Sequence, residues 1–341
     1  MACMHQERRS LVRAAGVEIH TCELGSPEAA GPPLVMLHGL CDSYLTWSRV
    51  ATALAARRRV ILADLPGHGL SGRPDASYSL SWHADVMGAW LDALGLDTVD
   101  LVGHSFGGGV AQWMLLAHRE RVRRLVLVAA GGLGRGVSVP LRLASLGVVE
   151  RLGQPFFGIG TRIGLRSAGA GFTADEVDQL AWMSSQSGTA RAFSRTVADV
   201  IDLRGQRRHF LDRAHEIRTL PPISLIWGDR DRVLPFAHGR ETAALLEGAP
   251  FSRYEGCGHF PHRERADRFV AELDAFLDAA DVPTPRLRTA IQVAVAADSE
   301  RRPSAIRRAA SAVVRGLCRA LGITRPQPQR VVQELSPPAG A

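Results

Sequence analysis

Three short stretches hold residue types that could act together. Residues 103–107 read GHSFG, with Ser105 between glycines. Residues 227–231 read WGDRD and carry two carboxylates, Asp229 and Asp231. Gly258 and His259 form the third, with a second histidine, His262, three positions on. A serine hydroxyl is a poor nucleophile at neutral pH. It needs a base within hydrogen-bond reach, and that base needs an orienting partner. Such a set performs acyl transfer, with water as the final acceptor. The G-x-S-x-G pattern is weak by itself: with 34 glycines in 341 residues, chance supplies roughly 0.2 matches. The elements around it must decide.

Short apolar runs alternate with longer amphipathic stretches. Strands are expected at 17–24, 34–37, 60–63, 99–102, 125–129, 223–227 and 251–254. Helices are expected near 46–57, 79–94, 106–118, 235–246 and 263–279. This alternation predicts an α/β fold with a mostly parallel central sheet flanked by helices. Runs such as LVLVAA suit strands buried on both faces. Ser105 then sits on a sharp strand–turn–helix junction, the setting of a nucleophile elbow. The helix that follows aims its first N–H groups at an oxyanion forming there. The two aspartates and His259 also follow strands, so the chain order Ser, Asp, His suits this chemistry in an open sheet. The alternation stops over 134–217, first Gly-rich and then helical, which reads as an insertion over the sheet.

Several further motifs fall in a consistent order. Leu37-His38-Gly39-Leu40 follows an early strand, and residues 64–71 read DLPGHGLS. With the elbow and the WGDRD stretch, they make residues 11–281 resemble the α/β-hydrolase family, with 134–217 in the place of its helical cap. The resemblance implies Ser105 as nucleophile and His259 as general base, then acid. The family pattern W-G-x-x-D-x-x-x-P matches Trp227, Gly228, Asp231 and Pro235, which selects Asp231 over Asp229 as the orienting acid. It implies an oxyanion hole made of the backbone N–H groups of Leu40 and Phe106. A serine at the elbow argues against the family's dehalogenases and epoxide hydrolases, whose elbow carries Asp. A carboxylic ester hydrolase acting on a small hydrophobic acyl substrate is therefore expected. The alternatives are a carbon–carbon bond hydrolase of meta-ring-fission products, a cofactor-free perhydrolase or haloperoxidase, and a non-catalytic ligand receptor. The ring-fission enzymes usually carry Asn before the nucleophile and Trp after the histidine, where this chain has His104 and Phe260. Apolar residues of the insertion, chiefly Phe156, Phe157, Trp182 and Met183 with Leu141, Leu146, Ile159 and Phe172, are the expected substrate contacts. His38, His104, Asp64 and His68 are expected to brace loops.

Composition bounds the rest. At 46% hydrophobic and 22% charged, the chain reads as globular. It has no Lys or Asn, so all 41 basic residues are Arg. Residues 282–341 hold ten Arg against three acids, which accounts for the whole net charge of +7, while residues 1–281 balance at 31 against 31. The body therefore lacks the basic stripe of a nucleic-acid binder. Five scattered Cys without C-x-x-C spacing argue for a reducing, cytoplasmic setting and against a disulfide framework or zinc site. Cys41 and Cys257 read as bystanders. The absence of a P-loop, dinucleotide fingerprint or metal cluster predicts no cofactor. In the basic C-terminal extension, 282–341, a helix near 303–321 gathers Ile306, Ala310, Val313, Val314, Leu317 and Leu321 on one face, with arginines mostly off it. That pattern fits self-association, homo-oligomer contact or peripheral membrane binding.

Overall fold

The computed structural model describes residues 7–147, 150, 153–168 and 170–288. The helix expected at 303–321 lies outside them. An eight-stranded sheet forms the centre, from strands β1 (Arg8–Ala14), β2 (Val17–Leu24), β3 (Leu34–Leu37), β4 (Val60–Ala63), β5 (Val99–His104), β6 (Val122–Val128), β7 (Ile223–Gly228) and β8 (Phe251–Tyr254). Their spatial order is β1-β2-β4-β3-β5-β6-β7-β8. β1 pairs antiparallel with β2 and β2 with β4; every later pairing is parallel. The α/β reading of the alternation holds. β1 was not expected, because RRSLVRA is mostly exposed and shows little apolar alternation on this outer edge.

The central strands are apolar on both faces because both faces are covered. In β3, Leu34 and Met36 join one core and Val35 and Leu37 the other, the period of two a pleated strand imposes. One core packs α2 (Leu80–Ala93) and α3 (Phe106–Ala117) against the sheet. The opposite core packs α1 (Ser48–Ala55) and a C-terminal helix, α10 (Ala266–Asp278). The single helix expected over 263–279 divides into a short α9 (Pro261–Glu264) and α10, because Arg265 between them leaves helical geometry at φ −137° and ψ 57°.

Between β6 and β7 the chain builds α4 (Val139–Ala144), α5 (Phe157–Ala168), α6 (Ala174–Ser185) and α7 (Thr189–Val200). The helix α8 (Phe236–Leu245) follows β7. Thr173 caps α6 with a reciprocal capping box to Glu176. Val137, Phe193, Val197 and Ile201 of this segment enter the same core as α2 and α3, so the insertion is fixed to the sheet. Residues 286–287 pair with 246–247, which ties the start of the C-terminal extension to the end of α8. Cys22, Cys41 and Cys257 are free thiols. No helix among the described residues is long and apolar enough to cross a membrane.

Candidate active site

The site is built at the C-terminal ends of β5, β7 and β8. Ser105 terminates β5 and precedes α3 with φ 51° and ψ −117°, a conformation L-residues seldom adopt. Holding it costs about 1–3 kcal/mol. Its surroundings supply the restraint. The Ser105 N–H donates to Val128, and its carbonyl accepts from Gly108, Gly109 and Gly131. The glycines flanking it are required by space: a Cβ on Gly107 would lie 2.4 Å from the His38 carbonyl oxygen, and one on Gly103 2.5 Å from that of Gly107.

Around this elbow the predicted side chains converge. His259 Nε2 lies 2.9 Å from Ser105 Oγ, and His259 Nδ1 lies 2.8 Å from Asp231 Oδ2. A carboxylate can only accept, so Nδ1 carries the proton and Nε2 is free to take one from Ser105. The Asp231 side chain is fully buried, and its other oxygen accepts from the N–H groups of Val233 and Leu234, at 2.8 and 3.0 Å. The loop after β7 thus fixes the carboxylate, the carboxylate fixes the imidazole, and the imidazole addresses the hydroxyl. Asp229 turns the other way, to Arg253 and the Gly256 N–H. His262 is buried against Thr46 Oγ1 at 3.1 Å and does not meet Ser105.

The loop after β3 forms the opposite wall. A Cβ on Gly39 would come within 3.2 Å of Ser105 Cβ, so the main chain leading to Leu40 passes directly beside the serine. Leu40, Ser105 and Phe106 share one cleft. Phe106 opens α3, where the first N–H groups have no acceptor inside the helix. The bracing histidines lie behind this wall. His38 donates from Nδ1 to the Gly39 carbonyl and accepts at Nε2 from the Leu65 N–H. Asp64 accepts from the N–H groups of Tyr44 and Leu70, and His68 donates to the Pro66 carbonyl. His104 Nε2 donates to the His259 carbonyl oxygen at 2.9 Å. Desolvation pushes His104 and His262 well below the ordinary histidine value, and His68 down to about 3. All three are therefore neutral at pH 7. Burial also raises the thiols beside the motifs, Cys41 to about 12 and Cys257 above its usual value, so neither is a ready thiolate.

The cleft that reaches Ser105 encloses about 510 Å³, open mouth included. Its walls are Leu80, Val137, Leu141, Val200, Ile201 and Val233, with Gln206 and Arg208 as the polar members. Leu141 stands where the sequence pointed; the other expected contacts do not. Leu146, Phe156, Ile159 and Trp182 are all more than half exposed. Phe157 packs on Phe193, Met183 is buried in the opposite core, and Phe172 meets Phe260 edge to face. None of these seven lines the cleft. Apolar character singled them out, but it does not tell cleft from surface or core, and a different set of aliphatic residues around α4 and the end of α7 makes the wall. These carry no motif, and only the packing of 137–141 beside 200–201 reveals them.

Comparison with known proteins agrees with this fold. Residues 34–272 match the model of the alpha/beta hydrolase family. An uncharacterized protein of Mycobacterium tuberculosis is 35% identical over 263 residues, covering 74% of this chain and 77% of that one. A 2-hydroxymuconate semialdehyde hydrolase of a Pseudomonas strain is 32% identical over 275 residues, covering 79% and 93%. The crystal structure of a membrane phospholipase A superposes with a TM-score of 0.66 at 26% identity, covering 80% of this chain and 86% of that one. With a parallel sheet, a strained serine after β5 and a family match across most of its length, the chain is an enzyme of the alpha/beta hydrolase family.

Proposed function

We propose that the protein is a serine hydrolase that cleaves a carboxylic ester, or a related acyl substrate, through an acyl-enzyme. The observation that carries this reading is the continuous chain Asp231–His259–Ser105, with contacts of 2.8 and 2.9 Å, opening into an apolar cleft. Ser105 Oγ attacks the carbonyl carbon as its proton passes to His259 Nε2. Asp231 stabilises the imidazolium that results. The N–H groups of Leu40 and Phe106 hold the oxyanion. Collapse expels the alcohol, which takes the proton from His259, and water then releases the acid by the same steps in reverse roles. The 134–217 segment serves as the cap, and its aliphatic wall selects a hydrophobic substrate of medium length.

A second reading, carbon–carbon bond hydrolysis, is favoured by the similarity to the 2-hydroxymuconate semialdehyde hydrolase. The surroundings of the histidine weigh against it. His104 is committed to the His259 carbonyl, and Phe260 packs on Phe172. Neither lines the cleft. The two readings separate on a panel of p-nitrophenyl esters, a thioester and a ring-fission dienoate. The expected result is ester turnover that Ser105→Ala removes. Turnover of the dienoate alone would replace the ester reading with the second one.

A further inference from the structure

Arg263 belongs to α9, four residues past His259, and is 1% exposed. No motif marks it, and its partners come from two other parts of the chain, residues 45–48 and 170–176. NH1 donates to the carbonyls of Leu45 and Thr46, at 2.9 and 3.2 Å, and to Ser48 Oγ at 3.1 Å. NH2 pairs with Glu176 Oε2 at 2.7 Å, and Nε donates to the Ala170 carbonyl at 3.3 Å. The guanidinium lies over the Phe172 ring, 3.9 Å from its centre. Phe172 in turn meets Phe260, the residue after His259, edge to face at 5.5 Å. One buried cation therefore joins the start of α6, the turn before α1 and the loop carrying His259.

We infer that Arg263 is a positioning residue, which seats the cap on the His259 loop so that cap placement and imidazole alignment form one unit. The inference rests on the cap reading above and extends it. A planar five-donor group is what the seat needs, since three carbonyls, a hydroxyl, a carboxylate and an aromatic face surround one point. Once this cation is removed, Phe172 and Phe260 lose the contact that presses them together, and the His259 loop gains freedom at the base. Small displacements of a base cost rate steeply.

The test is Arg263→Met combined with Glu176→Gln. Removing both charges leaves neither member of the Arg263–Glu176 pair unpaired, and Gln at position 176 retains the capping box of α6. Two measurements are made on the full-length chain. The first is the low-field proton resonance of His259 Nδ1–H in its bond to Asp231. The second is kcat and KM on p-nitrophenyl acetate. The double variant is expected to keep its circular dichroism spectrum, to broaden or shift that resonance, and to lose roughly 10- to 100-fold in kcat with KM little changed. Arg263→Lys, which keeps the charge but not the fork, is expected to recover part of the loss. An unchanged resonance with only a lowered melting temperature would overturn the inference. A wild type that hydrolyses no ester would overturn the functional reading, while the resonance would still decide the role of Arg263.

Discussion

At the residue scale, three side chains and two N–H groups carry the proposed chemistry, and they differ in how readable they were. Ser105 and His259 stand in local patterns whose glycines have a visible spatial reason, so the sequence alone points to them. The choice between Asp229 and Asp231 needed the family pattern. Geometry then places Asp231 on His259 and Asp229 on Arg253. The substrate wall was not readable, because its aliphatic residues differ in no way from core residues until the chain is folded. Asp231→Asn is expected to keep the fold and to lower kcat by roughly 10³- to 10⁴-fold, because the amide favours the wrong imidazole tautomer. Ester kinetics check this; a loss below ten-fold would remove Asp231 from the relay. In the cleft, Leu141→Trp is expected to raise KM for long acyl esters more than for acetate, since its side chain lines the path to Ser105. An acyl-chain series measures the difference.

At the element scale, the β5–α3 junction shows how three adjacent glycines can have unequal duties. A Cβ on Gly107 would strike the His38 carbonyl at 2.4 Å, while one on Gly109 would meet nothing closer than Leu80 Cδ2 at 3.4 Å, an ordinary contact. Gly107→Ala is therefore expected to cost about 1–3 kcal/mol by overpacking and to displace Ser105. Gly109→Ala is expected to be neutral, or stabilising by up to about 1 kcal/mol through helix propensity. Thermal melts with ester assays separate the two. The alternation of strand and helix was legible because parallel strands buried on both faces are short and continuously apolar. The outer strand β1 was not, since it faces solvent, and α9 was not, since the break at Arg265 arises from its backbone conformation rather than from a Pro or Gly signal.

At the scale of the whole molecule, burying neutral histidines makes stability depend on pH. His68, His83, His104 and His262 all titrate below the ordinary value because of desolvation. Above about pH 6.5 these groups are neutral in both folded and unfolded chains and add no pH dependence. Below that, the unfolded chain binds protons the folded chain refuses, so stability falls by up to about 1.4 kcal/mol per pH unit for each histidine. Urea midpoints at pH 7.5 and 5.5 should therefore drop on acidification, and a rise would contradict the account. The excess positive charge belongs to residues 282–341, and a chain ending after Arg288 is expected to retain ester hydrolysis within about two-fold; sedimentation and liposome flotation of both chains then test the self-association and membrane readings of the extension. The central claim remains the reactivity of one hydroxyl. A fluorophosphonate probe followed by peptide mass mapping tests it most directly. The account predicts a single adduct on Ser105, absent from Ser105→Ala. An unlabelled wild type, or equal labelling of the two proteins, would contradict it.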